Sequence, residues 1–345
     1  MKCRRFFLVV LVFFVLFISN IALSKKATKK PKIVLKMANN APIGIGVEVW
    51  IRKDFTPAVE RATDGDVVLD WYSGGIMGDD EDWIAKMHID QLQGAGLDGS
   101  GIHHACPDFA IMQLPFIFDG YDEVAFIKKR LRSKLGKRFE EHGYKMLVIA
   151  DQDFDQVYSS KVEVRAPEDF ARIKFLSYSG IVEQEMLKSL GASPVPISLA
   201  EANSAIRSGI CNGIVIPSLW IVGAQVYTII KNVTPSKMRY VMGSIVVTIN
   251  AWNKIPEKHH KAVEEVSLDF EPKINQSVKD TMDRCLTALL KYGLKEAKLT
   301  AAEIEVLKKR TRPVWDKLSG KVYSRKMLNE ILKHRAEYRS KKTMR

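Results

Sequence analysis

The chain predicts an α/β fold in two lobes, and three observations carry that prediction. Between Ile33 and Ala150, apolar runs of strand length alternate with helix-patterned stretches, the pattern of a parallel sheet with crossover helices. The 345 residues are 46% hydrophobic and 27% charged, a globular composition long enough for two cores. A second strand and helix series begins near Asp151, and long helix-patterned stretches close the chain.

Met1 to Ser24 carries Lys2, Arg4 and Arg5, then the apolar run Phe6 to Ile18, then Ala22-Leu23-Ser24. A basic start, an apolar middle and small residues at the end predict a secretory signal peptide over 1–24. The run is shorter than the ~20 residues that cross a bilayer. Cleavage would remove three basic residues and no acidic ones, lowering the formal charge from +13 to +10. The basic linker 25–31 follows, and a second basic cluster lies in 321–345. Such runs form solvated tails or meet an anionic surface or acidic partner. No nucleic-acid motif accompanies the charge, so nucleic acid is not an expected partner.

Ile33 to Met37 reads as the first strand and Asn39-Asn40-Ala41-Pro42 as the loop after it. Val47 to Ala62 has a helical stripe of Val49, Phe55 and Val59, stopped by Thr63-Asp64-Gly65. Asp66 to Tyr72 returns as strand, Trp83 to Leu92 as helix, and Asp98-Gly99-Ser100-Gly101 forms a loop beyond a strand end, where α/β folds place ligand contacts. Asp98 there reads either as a ligand contact or as a turn former. Tyr121 to Gly143 reads as helix and Tyr144 to Ala150 as the strand ending the first lobe.

In the second lobe, Pro167-Glu168-Asp169 suits a first helical turn. Arg172 to Ser177 reads as strand and Glu183 to Leu190 as helix. Ser198 with Glu201 caps a helix that stops at Gly209. Leu219 to Ile230 carries the stripe Trp220, Val222, Val226 and Tyr227, and Met238 to Asn250 is a strand. Lys258 to Leu294, with Pro272 as a kink or boundary, and Ala301 to Arg335, broken near Pro313 and Gly320, read as helices.

No metal or cofactor is expected. Asp151, Asp153 and Asp155 alternate, but the glycine and final glutamate of a calcium loop are missing. His103, His104 and Cys106 lack a second half for a zinc site. With Cys3 removed, three cysteines remain, too few for a disulfide framework. There is no serine elbow, no convincing acid/base pair and no phosphate-cradling glycine loop, so an enzyme is not expected.

Leu190-Gly191-Ala192-Ser193-Pro194, Pro196, Glu201, Ala205, Gly209, Gly213 and Pro217 stand in register with a long gapped pattern. In these residues the chain resembles the solute-binding proteins of tripartite ATP-independent periplasmic (TRAP) transporters. Leu114-Pro115-Phe116, the turn Ser73 to Asp80 and Ala251 to Pro256 add to the likeness, which covers roughly residues 32 to 320. It implies a two-lobed periplasmic-binding-protein fold with a ligand cleft between the lobes and long C-terminal scaffold helices. Lobe I would comprise 32–150 and 240–285, and lobe II 151–239 and 286–320. It also implies a periplasmic receptor that hands its solute to membrane permease subunits, in some relatives with a helical-repeat lipoprotein.

The departures from the family pattern are chemical. The arginine that clamps a ligand carboxylate falls on Leu176, a second arginine falls on Gln156, and the run "DGQEN" becomes Asn212-Gly213-Ile214-Val215-Ile216. A guanidinium fork is the natural bidentate partner of a carboxylate, and neither leucine nor isoleucine replaces it. The chain thus reads as an atypical branch lacking the carboxylate-binding arginine. The expected ligand is a hydrophobic or lipid-like molecule held by Leu176, Ile214, Val215, Ile216 and Trp220, with Asn39, Asp98 and Gln156 as polar contacts. Two alternatives stay open. One is a small polar non-carboxylate solute bound by Gln156, Asn39, Asn203 and Asp98. The other is a closed cleft, with Ile214, Val215 and Ile216 packed on Leu176 and Trp220, in a structural or partner-binding protein.

Overall fold

The computed structural model describes residues 33–343. The expected signal peptide and basic linker lie outside them. β1 (Ile33–Asn39), β2 (Val67–Tyr72) and β3 (Gly94–Leu97) run parallel, in the spatial order β2-β1-β3. The first crossover is helix α1, residues 47–62, and the second is α2 (Asp80–His88). α1 contains a π-helical turn at Ile51–Phe55. Pro57 stands just beyond it, and a ring without an N–H cannot sit under the regular ladder, so the helix widens. α2 starts on a capping box in which Asp79 accepts from the Glu81 and Asp82 N–H groups.

After α3 (Ser100–Ala105) and α4 (Tyr121–Glu141), β4 (Tyr144–Phe154) completes the sheet at its edge. The strand does not end at Ala150, as the sequence suggests, but continues to Phe154. It does so because its partner, β10 (Tyr240–Thr248), is long enough to pair with it throughout. Apolar residues fill both faces, with Trp83, Phe109 and Phe139 on one side and Phe55, Leu69 and Val148 on the other.

The second sheet draws on β5 (Gln156–Ser159), α5 (Pro167–Phe170), β6 (Lys174–Ser177), α6 (Ile181–Ser189) and β7 (Ser193–Pro196). It continues through α7 (Ala202–Arg207), β8 (Gly213–Ile216), α8 (Ser218–Gly223) and β9 (Asn232–Thr234). With β11 (Lys295–Glu296) at one edge, the spatial order is β11-β9-β5-β8-β6-β7. Two local readings change. Ser198 Oγ donates to Glu201 at 2.7 Å, and its side chain caps no helical N–H. The helix expected over Leu219 to Ile230 breaks after Gly223, where Gln225 adopts φ 54°.

β10 (Tyr240–Thr248) returns to the first sheet and inserts antiparallel between β3 and β4. The chain therefore passes between the sheets at Asp155 and again between Thr234 and Tyr240, and the two passages touch: the Asp155 N–H donates to the Arg239 carbonyl at 2.8 Å. After α9 (Ile249–Lys254), α10 (Glu257–Tyr292) runs for 36 residues, about 54 Å, with Pro272 inside it rather than at a boundary. Its first part packs in the first lobe through Val263, Ile274 and Met282, and its end packs in the second through Leu289. Glu271 and Asn275 of this helix accept the N–H groups of Ile149 and Asp151, capping the free edge of β4.

α10 ends in a Schellman motif. Gly293 takes φ 118° while Leu294 and Gly293 donate to the carbonyls of Leu289 and Leu290. β11 (Lys295–Glu296) and α11 (Ala301–Thr311) follow on the second lobe, and α12 (Pro313–Leu318) bridges the two, burying Val314, Trp315 and Leu318 in the first-lobe core while Lys317 pairs with Glu185 of the second. The basic segment closing the chain is a helix, α13 (Arg325–Thr343), that buries Met327, Leu328 and Ile331 beside α4. Several of its charges are paired: Glu330 and Glu337 meet Lys134 and Arg130 of α4, and Arg339 meets Glu123.

Candidate functional site

Two adjoining cavities open between the lobes. The inner one holds about 60 Å³ of free space, room for about five waters at ~10–15 Å³ each. Val47 and Ile51 from the widened start of α1, Leu219 from α8, and Val278 and Met282 from α10 give it apolar walls. Asp98, Asp151, Gln152 and Trp220 supply its polar and aromatic parts. The outer cavity, about 340 Å³, lies between Asp79 and Asp80 of the first lobe and Tyr178, Pro196 and Leu199 of the second. Asn40 lines both.

The polar contacts of the inner cavity depend on an irregularity in β4. Met242 of β10 pairs with Asp151 and Val241 with Asp153, so Gln152 is an extra, bulged residue. A bulge redirects its side chain out of the ladder. Gln152 Nε2 donates to Asp98 Oδ2 at 2.7 Å, and Gln152 Oε1 accepts from the Trp220 indole N–H at 3.2 Å. One bulged amide thus links β3 of the first lobe to α8. Gly243 allows the approach from the other side, because a Cβ there would lie 2.4 Å from the Leu97 carbonyl and 3.0 Å from the Asp98 Cβ.

The acids of the cleft differ in what balances them. Asp151 forms a buried ion pair with Lys128 at 2.7 Å. Asp80 Oδ2 accepts from the N–H groups of Asp98, Gly99 and Gly101, while burial and then the neighbouring Asp98 push its carboxyl up. Asp98 is 6% exposed and its Oδ1 has no protein partner. Burial pushes Asp98 up to about 6, with the Gln152 and Gly99 hydrogen bonds pulling the other way. Neither cavity is lined by a lysine, arginine or histidine among the described residues.

Behind the cleft, at the joined passages between the lobes, lies a second polar group. Arg239 is 0% exposed and donates through Nε to Asp155 at 2.7 Å and through Nη1 to Ser179 at 2.8 Å, with Glu183 at 4.0 Å. Two carboxylates share one guanidinium, and burial pushes both up, Asp155 to about 7. The three groups are neutral together when one acid keeps its proton. His103, once a metal candidate, is buried beside them, and burial followed by the Arg239 charge holds it down at about 3. The alternating Asp151, Asp153 and Asp155 each find a different partner in Lys128, Tyr121 and Arg239.

Of the residues singled out in the sequence, the structure brings Asn39, Asp98 and Trp220 together on the inner cavity. Asn39 spends its amide on Ser73 and on the Ala41 N–H. Leu176, Ile214, Val215, Ile216 and Gln156 line neither cavity. Leu176, Ile214 and Ile216 sit in the second-lobe core with Tyr158 and Trp220, while Val215 faces the opposite side with Phe175 and Met238. β8 lies between β5 and β6, and a strand covered on both faces requires an apolar run. The apolar triplet answers to that demand. Gln156 donates back to the Phe154 carbonyl, and Asn203 donates to the carbonyls of Ala224 and Gln225. Sequence reasoning missed Gln152 as a site residue, since a bulge has no local signature, and also Val278 and Met282, whose helix arrives from far along the chain.

Two lobes that enclose a cleft, joined by passages of extended chain and a shared helix, define a solute-binding protein. The model for bacterial extracellular solute-binding protein family 7 matches residues 40–321, and the chain belongs to that family. It is 23% identical over 314 residues to the C4-dicarboxylate-binding periplasmic protein DctP of Rhodobacter capsulatus, covering 88% of this chain and 91% of the relative. It is 18% identical over 310 residues to the sialic acid-binding periplasmic protein of Vibrio cholerae, covering 88% and 94%. A TRAP solute-binding protein of Sulfurospirillum deleyianum with bound succinate superposes with a TM-score of 0.80 at 18% identity, covering 88% of this chain and 99% of that one. A sugar acid-binding protein of Advenella mimigardefordensis in complex with galactonate gives 0.83 at 17% identity, covering 90% and 99%. The family consists of binding receptors of TRAP transporters, which pass solutes to membrane permease components, and not of enzymes.

Proposed function

We propose that this chain is the extracytoplasmic receptor of a TRAP-type transporter for a small, largely apolar solute without a carboxylate, which it delivers to a membrane permease. The observation that carries the reading is the wall of the inner cavity: Val47, Ile51, Leu219, Val278 and Met282, with no cationic side chain among the described residues lining either cavity. Moving a carboxylate from water into such a site without a guanidinium or ammonium leaves a buried charge uncompensated. Each buried ligand methylene contributes about 0.8 kcal/mol in return. The free space of about 60 Å³ suits a compact solute of a few heavy atoms, with the outer cavity for its remainder, rather than a long acyl chain. Export is supported by the basic start and apolar run of the first 24 residues, and no described helix is long and apolar enough to cross a membrane.

Native mass spectrometry of the mature chain purified without denaturation, followed by solvent extraction, tests the reading. A bound small molecule lacking an acid group is the expected result. A co-purified carboxylate would overturn it. A bare mass that persists after incubation with cell extract would favour the closed-cleft alternative, to which the burial of Leu176, Ile214 and Ile216 already lends some weight.

A further inference from the structure

Resting on that reading, we infer that the solute carries a protonated amine, and that Asp98 is the residue that receives it. The argument begins with charge. Among the described residues the walls of the two cavities carry Asp98, Asp151, Asp79, Asp80, Glu81 and Glu201 and no cation, in a chain whose formal charge is +13. A cleft lined by one sign of charge between low-dielectric walls concentrates the opposite sign. An excess of basic residues over the whole chain makes an acidic cleft a local property of the fold and not of the composition.

Most of these acids have an occupation. Asp79 caps α2, Glu201 accepts from Ser198, Asp151 is paired with Lys128, and Asp80 holds three backbone N–H groups. Asp80 and Asp151 leave Oδ1 without a protein donor just as Asp98 does, but their Oδ2 atoms hold three N–H groups and an ammonium, whereas Asp98 has the single neutral amide of Gln152 on Oδ2 and is 6% exposed on the inner cavity. Buried carboxylates are compensated by donors or cations, and one so sparsely supplied beside a cavity calls for a donor from outside the chain. The nearby guanidinium of Arg239 does not serve, being fully buried and engaged with Asp155, Ser179 and Glu183.

The surroundings suit an ammonium on a short apolar body. Trp220 lines the same cavity and is fixed by its indole hydrogen bond to Gln152, so a cation held at Asp98 meets an aromatic wall. Val278 and Met282 then receive the carbon chain. The relatives named for C4-dicarboxylates and sialic acid, and those solved with succinate or galactonate, hold the opposite charge. Ligand charge is therefore where this chain parts from them.

Isothermal titration calorimetry with three four-carbon probes, 1-butylammonium, 1-butanol and butyrate, separates this inference from the reading beneath it. The expected order places 1-butylammonium at least tenfold tighter than 1-butanol, with butyrate weakest, and Asp98→Asn should narrow the amine-to-alcohol ratio to below threefold. If 1-butanol binds as well as 1-butylammonium, the amine inference falls and the apolar non-carboxylate reading stands. If butyrate binds tightest, or none of the three binds, both fall. The comparison on the unaltered chain decides the question even where the Asp98→Asn variant does not fold.

Discussion

Arg239 shows how much one side chain can be made to hold. It sits between the two passages that join the lobes, with Asp155 from one passage, Ser179 and Glu183 from the second lobe, and Gln113 from the first. Burying a guanidinium is costly, and removing it from two buried acids costs more than never having placed it there. Arg239→Met should lower unfolding stability by about 3–5 kcal/mol in a urea titration. A loss below about 1 kcal/mol, the range of exposed pairs, would show that the network is solvated in solution. Gln152 makes the complementary point. Its role comes from the bulge at its own position, and the residue type alone says nothing of it.

β6 and β8 explain why residues that look like a rebuilt binding surface are core. Leu176 is 0% exposed, and β6 pairs with β7 on one side and β8 on the other. Restoring an arginine by Leu176→Arg therefore buries a charge in the apolar cluster of Tyr158, Ile214 and Trp220. The expected outcome is a loss of about 3–5 kcal/mol in urea unfolding, with no gain of succinate binding by calorimetry. A stable variant that binds succinate would show that position 176 reaches the cleft. β6 was legible in the strand pattern of Arg172 to Ser177, while Gly213 to Ile216 read only as an apolar run and not as a strand, since periodicity alone does not separate a short buried strand from other apolar stretches. Which face of that run meets ligand was not legible, since β8 is covered on both and periodicity cannot name the cover. The long helix was legible by its period as well, but Pro272 could not be sorted between kink and boundary. The Glu271 and Asn275 bonds to β4, which hold the helix across the proline, come from residues over a hundred positions away.

For the molecule as a whole, the buried acids set a pH dependence. Asp155 is pushed up to about 7 by burial, and Asp98 and Asp153 to about 6, against 3.8 in an unfolded chain. Between those values the folded protein keeps protons that the unfolded chain has released. Their contribution is present in full near pH 4 and is lost as pH rises through 6 and 7, at about 1.4 kcal/mol per pH unit for each proton. His103, held down at about 3, acts in the opposite sense between pH 3 and 6.5. Three acids outweigh one histidine, so the urea midpoint should fall between pH 5 and pH 7.5, and Asp155→Asn should flatten the slope. A midpoint that climbs over the same interval would place these acids in contact with water. Composition and hydrophobic period suffice for the α/β class, the first parallel strands and the helical end of the chain, because those are local demands of backbone and solvent that each segment meets alone. The motif register adds the family and its two lobes. The cleft is another matter. A bulge at Gln152, an unpartnered oxygen on Asp98 and a wall supplied by α10 exist only once segments remote in sequence have packed, since which face of a strand or helix is covered depends on a neighbour that no local pattern names.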